Sequence, residues 1–281
     1  MRWHLGGSVD NSGKVRVPAI PDGELVLSAR SLMASGPEGT VFGPVDLDLY
    51  PGELCIVTGD EGSGKSAFLL TLSGRFRGAT GDLTICGIDA LARPYEAIQN
   101  TAVARLGNHV LPEDRLTVTE SISERAYLDG ISLAEAERRA AQMEEILGFR
   151  IERGAEIEQL DPVTRIVGAT ALVALRPARV IVVDDVDAAV PHADQVAMYQ
   201  YLIKLAQFNG AAIVCTAING DTVPKGVLRV RLASRRRSYV HAYTDHEPAE
   251  MTVVDTDPVI SADPLLDTDT GTVIVTRTGE N

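Results

Sequence analysis

The sequence predicts an α/β fold built on a mostly parallel sheet. Short β-branched runs at 53–58 (ELCIVT), 180–183 (VIVV) and 211–216 (AAIVCT) have the length and composition of buried strands. Helix-period segments separate them at the spacing of strand–helix–strand units. The 281 residues are enough for a full core, because a chain of this size buries roughly 75% of its unfolded surface without disulfide or metal staples.

Residues 1–22 mix Gly, Ser and two prolines and predict no element. Strands are expected at 24–29, 45–49 and 53–58, the last running into a glycine-rich turn, with an apolar helix over 65–74. Short strands follow at 82–86 and 102–106. Two helices fill 119–147, because Thr117 with Glu120 and Ser132 with Glu135 have the spacing of capping boxes. Leu133, Ala136, Ala140, Met143 and Leu147 share one face of the second and are expected in the core. A third helix is expected over 162–175 and a fourth over 192–208, ahead of the strand at 211–216. From 245 onward three prolines and many Asp and Thr give little periodicity, although Thr272–Thr276 (TVIVT) has the pattern of an edge strand.

Charge and cysteine usage narrow the class. The formal net charge is −13, and residues 245–281 carry nine acids against Arg277 alone. Nucleic acid is therefore not the expected partner, since phosphate backbones reward clustered cations. The cluster Arg229, Arg231 and Arg235–Arg237 is read as exposed positions on late strands, or as a contact for acidic lipid or the acidic tail. Cys55, Cys86 and Cys215 sit in apolar runs without ligand-like spacing and are expected as reduced thiols. No apolar run reaches the 18 or more residues of a membrane span, and the first residues lack the apolar stretch of a secretory signal. A soluble protein of a reducing compartment is the expectation.

The strongest chemical signal is Gly59-Asp60-Glu61-Gly62-Ser63-Gly64-Lys65-Ser66, which fits G-x-x-x-x-G-K-[ST] between a strand and a helix. Its glycines let several N–H groups converge on phosphates at a helix N-terminus. Lys65, one of four lysines against 22 arginines, is placed to reach the β- and γ-phosphates, and Ser66 to hold Mg²⁺. Such a site needs a carboxylate at the end of a buried strand. Asp184 after VIVV is the expected Mg²⁺ partner, and Asp185 stands where a carboxylate orients the attacking water.

With these residues in view, the stretch 24–240 resembles the nucleotide-binding subunit of an ABC (ATP-binding cassette) protein. The likeness is greatest over PGELCIVTGDEGSGKSAFLLTLSGRFRGATGDLTICGID (51–89), LTVTESI (116–122) and ALRPARVIVVDDVD (174–187). VVDDVDAAVP and GSGKSAFLLTLSGR also resemble a subgroup accompanying phage-infection-protein-type membrane proteins. The resemblance implies a P-loop NTPase core with a mostly parallel sheet, an antiparallel β subdomain and a helical subdomain over about 117–160. The implied division is an N-terminal extension (1–22), a nucleotide-binding domain (23–244) and an acidic tail (245–281). It implies ATP and Mg²⁺ as cofactors, with Gly59–Ser66, Ala67 and Asn108 around the nucleotide. An integral-membrane partner would dock on the helical subdomain, and homo- or heterodimers are open. The location implied is peripheral, at the cytoplasmic face of a membrane.

The departures from the family pattern bear on turnover. Leu160-Asp161-Pro162-Val163-Thr164 replaces the serine-glycine loop that contacts a second ATP, and Asp161 with Pro162 has the form of a helix start. Asn108 takes the glutamine-loop position, Ala217 the switch-histidine position and Pro191, beside a helix-start His192, the loop aspartate. Asp185 replaces the catalytic glutamate, and Ala67 the second hydroxyl after Lys65. No aromatic lies between Trp3 and Phe42 to stack on adenine. The expected function is thus an ATP-binding subunit with slow or impaired hydrolysis. A pseudo-ATPase that stabilises an assembly, and a soluble ATPase of nucleic-acid repair or translation, are the alternative readings.

Overall fold

Burial along the strands separates two sheets: alternating in the long strands of one, continuous in the central strands of the other. The computed structural model describes residues 24–37, 39–107, 110–233 and 274–276. In chain order the elements are β1 (Leu27–Gly36), β2 (Gly39–Leu49), β3 (Leu54–Thr58), α1 (Lys65–Leu72), β4 (Ala79–Ile85), β5 (Ile88–Asp89), α2 (Pro94–Ile98) and β6 (Thr101–Arg105). There follow α3 (Val118–Asp129), α4 (Leu133–Leu147), α5 (Pro162–Val173), β7 (Val180–Val183), α6 (His192–Asn209), β8 (Ala212–Thr216), β9 (Leu228–Arg231) and β10 (Ile274–Thr276), with one 3₁₀ turn at Ile157–Gln159.

The larger sheet has six strands in the order β10-β9-β3-β8-β7-β6, parallel except for β10. The smaller one is antiparallel, in the order β2-β1-β4-β5. Ile56, Ile181, Val183, Ile213 and Cys215 face one side of the large sheet, packing against α3–α6. Cys55, Val57, Val180, Val182 and Val214 face the other, against α1 and the antiparallel sheet. Because the strands are covered on both faces, they read as continuous apolar runs. Phe42 of β2 meets Phe68 of α1 edge-on at 5.2 Å, joining the small sheet to the helix that follows the phosphate loop.

The parallel strands β3, β6, β7 and β8 and the long helices fall within a residue or two of their expected bounds. The small sheet differs more. β1 runs to Gly36 and β2 begins at Gly39, well beyond the expected 24–29 and 45–49. Register shifts between Ala29 and Ser35, with Ser31 at φ 46°, break the alternation that reveals strands. Gly81 shows how closely these strands approach, since a Cβ there would lie 2.4 Å from the Ser31 carbonyl. The short α2, β5 and β9 carried no sequence signal strong enough to predict them. β10 pairs with β9, so the last three residues of TVIVT, Ile274–Thr276, form an edge strand. The expected extension 1–22 and most of the tail 245–281 lie outside the described residues.

In α4 the expected core face holds for Ala136, Ala140, Met143 and Leu147, but Leu133 is 50% exposed. It sits at the first helical position. The buried register is taken further along by Arg139, which donates to Ala174 O and Asn209 Oδ1 and lies over the Phe208 ring. Thr117 and Glu120 form a complete capping box on α3, and Ser132 accepts from the Glu135 N–H.

Helix α5 starts as the capping rule requires: Asp161 accepts from the Thr164 N–H at 3.0 Å, with Pro162 in the first turn. Burial alone would raise the Asp161 carboxyl, but the hydrogen bonds from Thr164 hold it below the usual range. Asp161→Ala is expected to cost about 1 kcal/mol of stability, with Asp161→Asn recovering most of it. The check is a lower urea midpoint at unchanged slope.

Candidate functional site

Strand β3 is buried as far as Val57, so the chain leaves the sheet at Thr58 with its glycines free to curl. Gly62 and Gly64 adopt φ values of 78° and 87°, a region in which L side chains are strained. At Gly64 the backbone passes so close to β2 that a Cβ would lie 2.2 Å from Val41 O. At Gly62 a Cβ would meet nothing within 4 Å, so the loop opens outward there. Inside the loop Ser63 is 1% exposed and its Oγ has no partner among the described residues. Lys65 folds back over the loop, donating to Gly59 O at 2.8 Å and Asp60 O at 3.2 Å. Ala67 is half-buried against the core, while Asp60 and Glu61 are exposed at the rim.

The second half of the site arrives from β7. Asp184 is 1% exposed, and a carboxylate this deep needs donors. Ser66 Oγ donates to its Oδ2 at 2.7 Å, across 118 residues of sequence, and Thr216 Oγ1 donates to its Oδ1 at 2.5 Å. The pair expected for a metal is therefore in contact. An oxygen-only donor pair at the mouth of a phosphate loop suits Mg²⁺, which is bound by one or two carboxylates plus phosphates. Asp185 is half-buried at φ 45°, and its N–H donates to Thr216 Oγ1 at 2.7 Å. A cleft of about 810 Å³ brings together Lys65, Asp185, Asn219, Arg229 and Arg231 beside Gly59–Glu61.

Several of these groups were not foreseen. Thr216 ends an apolar run and reads as a strand former, although its hydroxyl joins both aspartates. Asp187 is buried and accepts from the N–H groups of Ile218 and Asn219, each at 2.8 Å. Arg229 is not simply exposed, as the sequence suggested: it is half-buried and donates to Gly220 O and Val223 O. Arg231 keeps its exposed place but lines the cleft. Ala217, expected at the switch-histidine position, is buried in the core, so its side chain presents nothing to the cleft. His192 opens α6 as an exposed residue. Asn108 and His109 lie outside the described residues.

A family model described as ABC transporter matches residues 42–184, just over half of the 281 residues and spanning both halves of this site. The chain belongs to the ABC transporter family. It is 25% identical over 202 residues to the ribose import ATP-binding protein RbsA of Roseobacter denitrificans, covering 70% of this chain and 39% of that protein. It is 29% identical over 182 residues to the lipoprotein-releasing system ATP-binding protein LolD 2 of Caulobacter vibrioides, covering 62% and 78%. The chain thus spans about two fifths of the length of the ribose import relatives it matches. Among solved structures, cbiO1 of Clostridium perfringens superposes with a TM-score of 0.63 at 15% identity, over 74% of this chain and 85% of that one. A nucleotide-free ATP-binding cassette from an ABC transporter gives 0.60 at 14%, over 75% and 88%. These likenesses establish the ABC ATPase fold: a P-loop core with a parallel sheet, an antiparallel sheet and helices.

In this family member the carboxylate beside the Ser66–Asp184 pair is the electrostatically costly one. Burial first, then the neighbouring Asp184, raise the Asp185 carboxyl above the ordinary range, against the opposing pull of Lys65 and Thr216. A carboxyl with a higher pKa folded than unfolded holds its proton more tightly in the native state. Its contribution to stability therefore declines as pH rises through the folded value. Asp185→Asn should accordingly melt higher than the wild type at pH 7. The gap should close as pH falls below the folded pKa of Asp185. Equal or lower melting of the variant at pH 7 would contradict this reading of the site.

Proposed function

We propose that the chain is the ATP-binding subunit of an ABC-type membrane complex, binding Mg-ATP with slow hydrolysis and passing its nucleotide state to a membrane partner. The observation that carries this is the Ser66–Asp184 hydrogen bond at the mouth of the phosphate loop. The N–H groups of Gly59–Ser66 would cradle the phosphates. Lys65 would exchange its carbonyl partners for the β- and γ-phosphates. Ser66 and Asp184 would hold Mg²⁺, which supplies charge neutralisation there. Asn108 would sense the γ-phosphate, as the family resemblance implies.

Slow turnover follows from positioning. Asp185 is the group left to orient water, and its stem is one methylene shorter than that of glutamate. A misplacement of about 1 Å costs on the order of 100-fold in rate. The first turn of α5, occupied by Asp161 as its own cap, offers little to a second ATP. A tight ATP-dependent homodimer is therefore not part of this reading, and a heterodimer remains open.

The membrane partner is proposed to dock in a groove of about 590 Å³ between β6, the 110–114 segment, α3 and α5. Val110, Leu111 and Leu128 are exposed around it, an apolar patch of the kind that marks protein contacts. Among the described residues no helix is long and apolar enough to cross a membrane. On this reading the chain would reach the cytoplasmic face of a membrane by docking on its partner. The relatives' roles, ribose import and lipoprotein release, support an ATP-binding subunit.

Lys65→Ala should weaken Mg-ATP binding by about 100-fold, the worth of two charge-assisted hydrogen bonds, with the fold intact. Calorimetry checks this, and equal affinity would remove the site assignment. Steady-state phosphate release by the wild type should be slow and only partly raised by Asp185→Glu. Fast release abolished by Lys65→Ala would show that the replaced groups have working substitutes. Leu128→Glu should abolish co-purification with a membrane protein while leaving ATP affinity within about twofold, because a distant surface change is close to neutral.

A further inference from the structure

The segment after β8 is tied down unlike a freely moving loop. The Val186 N–H donates to Thr216 O and the Asp185 N–H to Thr216 Oγ1. Ala217 N–H donates to Val57 O, and the next two amides, of Ile218 and Asn219, are both taken by the buried Asp187 carboxylate. The segment is thus clamped to β3 on one side and to the 184–187 turn on the other. With Ala217 turned into the core, Ile218 and Asn219 are the first exposed side chains after the strand, and both line the cleft that holds Lys65 and Asp185. Ile218, 63% exposed, has no polar group to offer. Asn219 does. Its Oδ1 accepts from the Asp221 N–H at 3.4 Å, so its NH₂ group is the part left to donate.

We propose that Asn219 is a γ-phosphate contact of this chain, donating from its side-chain amide, and that Asp187 is the residue that positions it. The inference rests on the nucleotide site proposed above and names a contact within it. The chemistry recognised is the terminal phosphate oxygens of a nucleoside triphosphate. An amide is neutral and donates without a proton to lose, so the contact discriminates triphosphate from diphosphate without pH dependence of its own. Asp187 acts through the backbone: its two oxygens hold consecutive N–H groups, which sets the direction in which residue 219 leaves the chain. The cleft is lined by the carboxylates Asp60, Glu61, Asp185 and Asp221 and by the cations Lys65, Arg229 and Arg231, so a fixed neutral donor on this wall adds direction rather than charge.

The test compares Mg-ATP and Mg-ADP affinities of the full chain by calorimetry for wild type, Asn219→Ala and Asp187→Asn, with circular dichroism as a check on folding. Asn219→Ala should lower the ATP-to-ADP affinity ratio about tenfold, the worth of one hydrogen bond to a charged group. ADP affinity should stay within about twofold, since the lost donor serves only the terminal phosphate. Asp187→Asn keeps one backbone acceptor and should lower the same ratio by a smaller factor, which a purely structural loss would not do, because that would weaken both nucleotides together. An unchanged ratio in Asn219→Ala, with ADP bound normally, overturns the contact and leaves the nucleotide site standing. A wild type that binds neither nucleotide overturns both.

Discussion

A carboxylate removed from water must find donors, and Asp184 finds them on two other elements. Ser66 at the start of α1 and Thr216 at the end of β8 each give a hydroxyl to one of its oxygens. That arrangement ties the phosphate loop, the β7 terminus and the β8 terminus into one unit at the C-terminal edge of the sheet. Loss of either hydroxyl leaves a buried charge short of a partner, a cost of about 1–3 kcal/mol or more. The same position at the carboxyl ends of parallel strands is where open α/β sheets place their ligands. Much of the site's geometry follows from satisfying this one group.

The strain next to it has a complementary meaning. Asp185 holds a positive φ and a raised carboxyl, both unfavourable, within a turn stitched by Thr216 and Asp187. Such features persist only where surrounding bonds over-determine the backbone. Here those bonds come from β8 and the segment after it, so the Asp185 carboxylate and the cleft wall are set by one piece of structure.

The helical part is joined to the core by buried arginines. Arg176 donates to Gln99 O and Thr101 O and pairs with Asp129, which also takes Arg125 in a two-bond contact. Arg75 reaches Thr101 from the far end of α1. Burial lowers the Arg176 pKa, and burial with the nearby Arg176 and Arg125 lowers that of Arg75 to about 10. Guanidinium groups tolerate this because they remain charged well above neutral pH. The end of α3 is thereby linked to β6, the strand beside β7.

The parallel core, the phosphate loop and Asp184 were legible in the residues alone. Each is governed by local rules: β-branched runs for strands buried on both faces, glycines where the backbone must curl, a carboxylate at a strand end. The capping of α5 by Asp161 was legible for the same reason. The long strands of the small sheet were not, because bulges around Ser31 break the alternation that a reader counts. The roles of Thr216, Asp187 and Asn219 were not either. Thr216 and Asp187 act on groups about 30 residues away in sequence, and only the pairing of β7 with β8 brings them within reach. Sequence periodicity determines which face of an element is buried. Which hydroxyl or carboxylate meets which backbone group depends on the register between strands, and that is decided by tertiary packing.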